Sequence, residues 1–342
     1  MLSSVQILRA MAAWAVVFHH YMQLSHGFES SNALSRFFSV YGFLGVDLFF
    51  IISGFVIYNS VVGKTISPAS FAIQRVARIA PAYWVFTILT AALAVVFDNL
   101  IPKTSFDSVH FFKSIFFIPA YSPSGIGLLP TLSVGWTLNY EMVFYSLFSL
   151  SLFLPRKALI PAMTIAIAVL QITAANSDGA FSFYCNPLIY NFIAGMCISV
   201  IYRLGATSKI SAPAAAMSTL ASLYFISLID NIGHDPIKVG IPLAVIFIAF
   251  VSQENRLKVL PLVKTLGDWS YSTYLVHVLV ICVALKLSDT YNLNESAVIS
   301  AIIAMTVLAS WASYVFIEKP TSNFLKRKAP TKMLNSQASN TI

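Results

Sequence analysis

The chain has 342 residues, of which 58% are hydrophobic and only 10% charged, with a formal net charge of +8 and a mean hydropathy of +0.78. Soluble domains carry about 25% charged residues, so the composition excludes a soluble enzyme or binding module and indicates an all-α integral membrane protein. Apolar runs close to the ~20 residues that cross a bilayer recur along the whole length, which predicts one membrane domain over 1–320, no soluble domain, and a polar tail over 321–342.

Ten transmembrane helices are expected, at 5–25, 41–61, 80–98, 135–153, 158–174, 187–202, 212–230, 239–252, 269–287 and 297–317. A removable signal peptide is the rival reading of the first span. "FHHYMQLSHGFES" offers neither a clean apolar core nor a small-x-small cleavage site, so the segment is expected to stay in the mature protein. With the N-terminus inside, sixteen Lys and Arg residues fall on the inner side, Arg9 included, and five on the outer side: Arg36, Lys103, Lys113, Lys238 and Lys286. That asymmetry follows the positive-inside rule and places both termini in the cytoplasm. The net positive charge is thus a topology signal, with no nucleic-acid partner implied. The tail is expected to be mobile and close to anionic lipid headgroups.

Ionisable groups within spans are the informative ones, because each costs at least ~2.5 kcal/mol at mid-membrane unless it is paired or lines a cavity. In the first span Arg9 and His20 are eleven residues apart, which returns to within about 20° of the same face some ~16 Å along the axis. They form one stripe. His19 points about 80° away from Arg9 and reads as a helix-packing histidine. The second span, "GFLGVDLFFIISGFVIYNSVV", carries Asp47 near its outer end. Gly45, Phe49 and Ser53 repeat along one of its faces, with Gly54 close to the direction of Asp47. Small residues on such a face indicate close helix contact, a ligand channel, or both.

"FAIQRVARIAPAYW" places Arg75 and Arg78 on one helical face at i, i+3 just before the third span. The pair reads as a positive-inside anchor or as a phosphate site, since guanidinium forks bind phosphate with two hydrogen bonds. The connection over 99–134 is longer than the others. Its "VHFFKSIFFIP" predicts a short interfacial or re-entrant piece, and "PAYSPSGIGLLPTLS" a shaped loop of the kind that contacts substrate.

The fourth span opens with "SVGWTLNYEMVFYSLF" and sets Glu141 at a depth similar to Asp47 and His20. If the three faces converge, a histidine with a carboxylate partner is a general base that accepts a hydroxyl proton at neutral pH. Interhelical pairing is the alternative for the same trio. His277 in "DWSYSTYLVHV" lies nearer the inner side with Tyr274 one turn before it, and Glu318 in "FIEKP" ends the tenth span within reach of an inner arginine. Cys185, Cys197 and Cys282 have no metal-ligand spacing, so neither a disulfide framework nor a metal site is expected.

The set of motifs, R-x10-H from Arg9 to His20, "GVDLFFIISGF" from Gly45, R-x-x-R at Arg75 and Arg78, "WTLNYEMVFY" around Glu141 and "YSTYLVHV" near His277, resembles the membrane acyltransferase-3 family over nearly the whole chain, in the family's order. The resemblance implies a multi-pass protein of the bacterial inner membrane that moves an acyl group, most often acetyl from acetyl-CoA, to a carbohydrate hydroxyl of O-antigen, exopolysaccharide or nodulation factor. It implies His20 as the essential histidine, Arg9 as part of the same motif, and Arg75 and Arg78 as holders of the donor, with Ser53 and Gly54 shaping its channel. Asp47 and Glu141 are the expected catalytic partners of His20. The acceptor is a lipid-linked or polymeric glycan, and the polysaccharide biosynthesis machinery is the partner such chemistry implies. The likeness is to the stand-alone subgroup that includes exopolysaccharide acetyltransferases. A small-molecule acceptor such as a macrolide, and a glycan transporter or flippase, are the competing classes. The chain shows no inverted internal repeat of the kind that marks many transporters.

Overall fold

The computed structural model describes residues 2–29, 31–97, 100–257 and 260–328. Among these residues the fold is all helical, with no strand. Ten helices coincide with the ten expected segments: α1 (Ser3–His26), α3 (Leu44–Val61), α4 (Pro68–Val96), α6 (Trp136–Ser151), α7 (Leu159–Ala175), α8 (Tyr190–Arg203), α9 (Ala212–Ser227), α10 (Ile241–Ser252), α11 (Pro261–Tyr291) and α12 (Glu295–Ser313). Five helical stretches are long and apolar enough to cross a membrane by length and composition, and six if the bent pair Gly179–Cys185 and Pro187–Arg203 counts as one. α6, which carries Glu141, has only 16 residues.

Several boundaries differ from the sequence expectation, each for a local reason. α4 begins twelve residues before position 80, because Ser67 caps it by accepting from the Ser70 N–H at 3.2 Å and Pro68 sits in the first turn. Arg75 and Arg78 are therefore inside the helix. α11 likewise opens on Pro261 and runs to Tyr291, where Asn292 takes a left-handed conformation and ends it. A short helix, α2 (Ala33–Tyr41), fills the first outer connection, capped by Asn32. The tail differs too: α12 passes through a π-turn at Tyr314–Glu318 into α13 (Lys319–Lys328), so positions 321–328 are helical where a polar coil is expected. Residues 329–342 of that tail lie outside the described residues.

The expected interfacial piece is α5 (Ser108–Ile115). Asp107 caps it, His110 and Ser114 face inward, and Val109, Phe112 and Phe116 are exposed. Tyr83 and Trp84 of α4 donate to the carbonyls of Ser114 and Ile115, which fixes α5 against the bundle.

α1 is the central element. It packs on α11 and α3, and α3 packs on α8. Ala10, Ala12 and Ala13 keep the flank of α1 thin, and a Cβ on Gly45 would overlap the Ala12 carbonyl. The α3–α8 crossing is closer still: a Cβ on Gly54 would strike the Phe192 carbonyl and one on Gly195 the Ile51 carbonyl. Backbones at this separation are the packing mode expected where lipid removes the hydrophobic drive between helices.

Candidate active site

A cavity with about 760 Å³ of empty space, part of it continuous with the outside, lies between α1, α3, α4, α6 and α11. Its wall on α3 runs from Val46 to Ile57, which is about 16 Å of helix. Arg75, Arg78 and Ile79 of α4, Glu141 and Tyr145 of α6, and Ser270 and Tyr271 of α11 line it together with Arg9. The stretch beside Val46, Phe49, Phe50 and Leu138 is apolar, closed by Thr137 and Tyr274.

The polar end has a clear electrostatic sense. Three guanidinium groups, Arg9, Arg75 and Arg78, share the space with one carboxylate, Glu141. Glu141 accepts from Ser53 Oγ at 3.2 Å and from Tyr145 OH at 2.9 Å, while Arg9 Nε donates to Ser270 Oγ at 3.0 Å. The Arg75 guanidinium lies over the Phe71 ring at 5.4 Å, and its buried Nε meets no hydrogen-bond partner among the described residues. A buried donor of this kind is costly unless something accepts from it, and an excess of arginine suits an anion.

Of the expected site residues, Arg9, Ser53, Arg75, Arg78 and Glu141 are brought together in this cavity. Three are not. Gly54 faces α8 instead of the cavity, because the α3–α8 crossing needs its missing side chain. Asp47 turns away from His20: it is fully buried, accepts from Asn191 Nδ2 at 3.0 Å and receives the Nδ1–H of His234 at 2.7 Å. His20 itself lies beyond the cavity wall. Its Nδ1–H donates to Gln23 Oε1 at 2.8 Å, and its ring centre is 5.1 Å from that of His277. The expected convergence of His20, Asp47 and Glu141 thus does not occur: equal depth leaves the rotation of each helix open, and the three side chains face different neighbours. His19 bonds the Phe38 carbonyl at 3.0 Å and packs helices, as its direction predicts.

Residues 2–316 match the acyltransferase-3 domain. The chain belongs to the acyltransferase-3 family. It is 33% identical to the exopolysaccharide production protein ExoZ of Rhizobium meliloti (strain 1021), over 86% of this chain and 93% of ExoZ. It is 24% identical to the acyltransferase MdmB of Streptomyces mycarofaciens, over 84% and 83% of the two chains. The peptidoglycan O-acetyltransferase OatA of Listeria monocytogenes is 23% identical over 93% of this chain and 55% of OatA. No solved structure matches.

The cavity is also lined by Tyr145, Ser270 and Tyr271, which the sequence reading passed over, and by Tyr274, which it noted only as the neighbour of His277. Tyr145 follows Glu141 at i+4, a spacing that could have flagged it. Ser270, Tyr271 and Tyr274 sit on consecutive turns of α11 within "DWSYSTY". Tyr274 donates to the Val134 carbonyl at 2.9 Å, shares a hydrogen bond with Thr137, and stands 5.8 Å from the His277 ring. Tyr274 lines the cavity, and His277 and then His20 follow it by ring contact outside the lining. Glu318 bonds Ser272 and lies in the field of Arg78 and Arg9. No group of three or more metal-ligating side chains occurs among the described residues.

Proposed function

We propose that this acyltransferase is a multi-pass O-acetyltransferase of the bacterial inner membrane that carries acetyl from acetyl-CoA to a hydroxyl of a surface carbohydrate, exopolysaccharide or O-antigen. The observation that carries the reading is the cavity that three arginines share with an apolar stretch of wall, next to which Tyr274 stands against the His277 ring. Phosphates suit the guanidinium end, with Arg75 Nε supplying an unused donor. The pantetheine arm suits the wall of Val46, Phe49 and Leu138. Ten spans with both termini cytoplasmic set Arg75 and Arg78 at the inner face, where coenzyme A is found, and the charge asymmetry supports that orientation.

In this reading His20 is the base. The Gln23 oxygen takes its Nδ1–H, which leaves the Nε2 lone pair for the acceptor hydroxyl. As Nε2 removes that proton, the oxygen attacks the thioester carbonyl. The carbon–oxygen bond forms, the carbon–sulfur bond breaks, and the proton passes from His20 to the departing thiolate. Among the described residues His20 bonds Gln23 and no carboxylate, so Gln23 and His277 are its local support, and Glu141 acts instead on the donor side by balancing the arginines.

The reading is tested on the glycans. Surface polysaccharides from cells with and without the gene are compared by mass spectrometry and proton NMR. Loss of a modification with the mass of one acetyl supports it. An unchanged glycan profile would count against it, in favour of a small-molecule acceptor or of transport.

A further inference from the structure

The carboxylate–histidine pair expected around His20 exists elsewhere in the molecule. Asp47, at the start of α3, is fully buried and receives the Nδ1–H of His234 at 2.7 Å, while His234 is 21% exposed. His234 belongs to the connection between α9 and α10, far from Asp47 in sequence. Its ring stands edge-on to Phe43 at 5.0 Å and 5.6 Å from Trp136. Bonded at Nδ1 and flanked by two aromatic rings, the imidazole has one orientation, and the nitrogen left at its open edge is Nε2. That nitrogen is an acceptor as long as Nδ1 carries the proton.

The connection is built to hold this geometry. Asp235 accepts from the N–H groups of Ile237 and Lys238 at 2.8 and 2.9 Å, and the Lys238 N–H is the main cause that holds the Asp235 carboxyl below its ordinary value. Gly240 lies so close to Asn191 that no Cβ fits between them, and Asn191 is the other donor to Asp47. Stability alone is a poor reason for such an arrangement. Burying a carboxylate costs several kcal/mol, roughly what its partners return, and apolar packing often does as well or better.

Phe43 and Trp136 start α3 and α6 at the same pole of the bundle as His20, and Trp136 is followed directly by Thr137 of the cavity wall. Half-exposed aromatic rings beside a fixed hydrogen-bonding group match the faces of a sugar ring, which present C–H groups to an aromatic surface and hydroxyls at the rim. We infer that Phe43, Trp136 and His234 form an acceptor subsite in which His234 Nε2 takes a hydrogen bond from a carbohydrate hydroxyl and Asp47 is the positioning residue behind it. The inference rests on the carbohydrate O-acetyltransferase reading above and names the place where that acceptor is held.

The test uses the full-length protein in nanodiscs, labelled acetyl-CoA as donor, and alkali-de-esterified surface polysaccharide from the producing cells as the acceptor probe. His234→Ala should raise the KM for polysaccharide about tenfold, the scale of a lost hydrogen bond in a partly buried site, while kcat at saturating polysaccharide and the KM for acetyl-CoA stay as in the wild type. Trp136→Leu should move the same constant. His234→Gln, which keeps an acceptor atom, should restore part of the loss. An unchanged acceptor KM in His234→Ala, or a matching rise in the donor KM, overturns the subsite while leaving the activity reading intact. Wild-type protein that labels no polysaccharide overturns both.

Discussion

The imidazole of His20 on α1 stands 5.1 Å from that of His277 on α11, ring centre to ring centre, and His277 is in turn 5.8 Å from the Tyr274 ring at the cavity wall. His277 is fully buried, and neither of its nitrogens has a hydrogen-bond partner among the described residues. The rings run from the cavity wall toward the proposed base across two helices, and both histidines are open to substitution tests.

His20→Ala should cut the turnover number by the ~10²- to 10⁴-fold typical of a lost general base, with acetyl-CoA binding retained. Labelled transfer and calorimetric donor binding on the same preparation check this. Retained acetylation of the acceptor would remove the base assignment. His277→Phe keeps a ring in the packing and leaves no polar atom unsatisfied, so its melting temperature in detergent should hold while kcat falls and the donor KM stays put. A fall in stability with normal kcat would make His277 a packing residue.

Arg75→Ala and Arg78→Ala should each weaken donor binding. Hydrogen bonds to charged groups contribute about 1.5–3 kcal/mol, which corresponds to roughly tenfold to a hundredfold in donor KM. The acceptor KM should not change. A charge-preserving Arg75→Lys should recover only part of the loss, because lysine lacks the planar fork. Measurement of both KM values in each variant distinguishes a phosphate site from a topological anchor.

Gly54→Ala tests packing against donor binding. The added Cβ meets the Phe192 carbonyl of α8, and overpacking of this kind costs typically ~1–3 kcal/mol. The expected result is a lower yield of folded protein and a lower melting temperature, with an unaltered donor KM in what folds. A raised donor KM at normal stability would place Gly54 in the donor channel after all.

Glu254, beyond the end of α10, caps α1 by accepting from the N–H groups of Ser3 and Ser4 at 2.6 and 2.8 Å. Burial pulls its carboxyl upward, but the hydrogen bonds from Ser4 and Ser3 prevail and hold it below its ordinary value of 4.5. A carboxyl depressed in the fold stabilises above its unfolded value and loses that contribution as pH falls through the folded one. The cap should therefore be in place at neutral pH and weaken only below about 4.5. Glu254→Gln should lower the stability at pH 7 by an amount on the order of 1 kcal/mol, seen as a lower melting temperature, and make little difference in strong acid. Thermal unfolding of both proteins across that range checks it.

Much of the architecture was readable from sequence because it depends on local quantities. Hydropathy placed ten helical segments, and the short α5 followed from the aromatic-rich stretch "VHFFKSIFFIP". The i, i+3 spacing of Arg75 and Arg78, and the single carboxylate of α6, are features of one helix each, and both proved to line the cavity with Arg9 and Ser53. Boundaries moved where caps such as Ser67 extended a helix past its apolar part.

What the tertiary structure alone decided is which buried polar groups meet. Asp47, Glu141 and His20 share a depth, but depth is one coordinate, and the rotation of each helix about its axis supplies the rest. That rotation is set by the closest crossings, Gly54 against α8 and Gly45 against α1. For α3 they turn Asp47 to His234, a residue 187 positions away on a connection where no periodicity reveals its direction, while Glu141 on α6 faces the arginines. Sequence established a helical membrane acyltransferase with its charges in the bundle interior. Helix packing divided those charges between an arginine-lined cavity and a separate histidine–carboxylate pair.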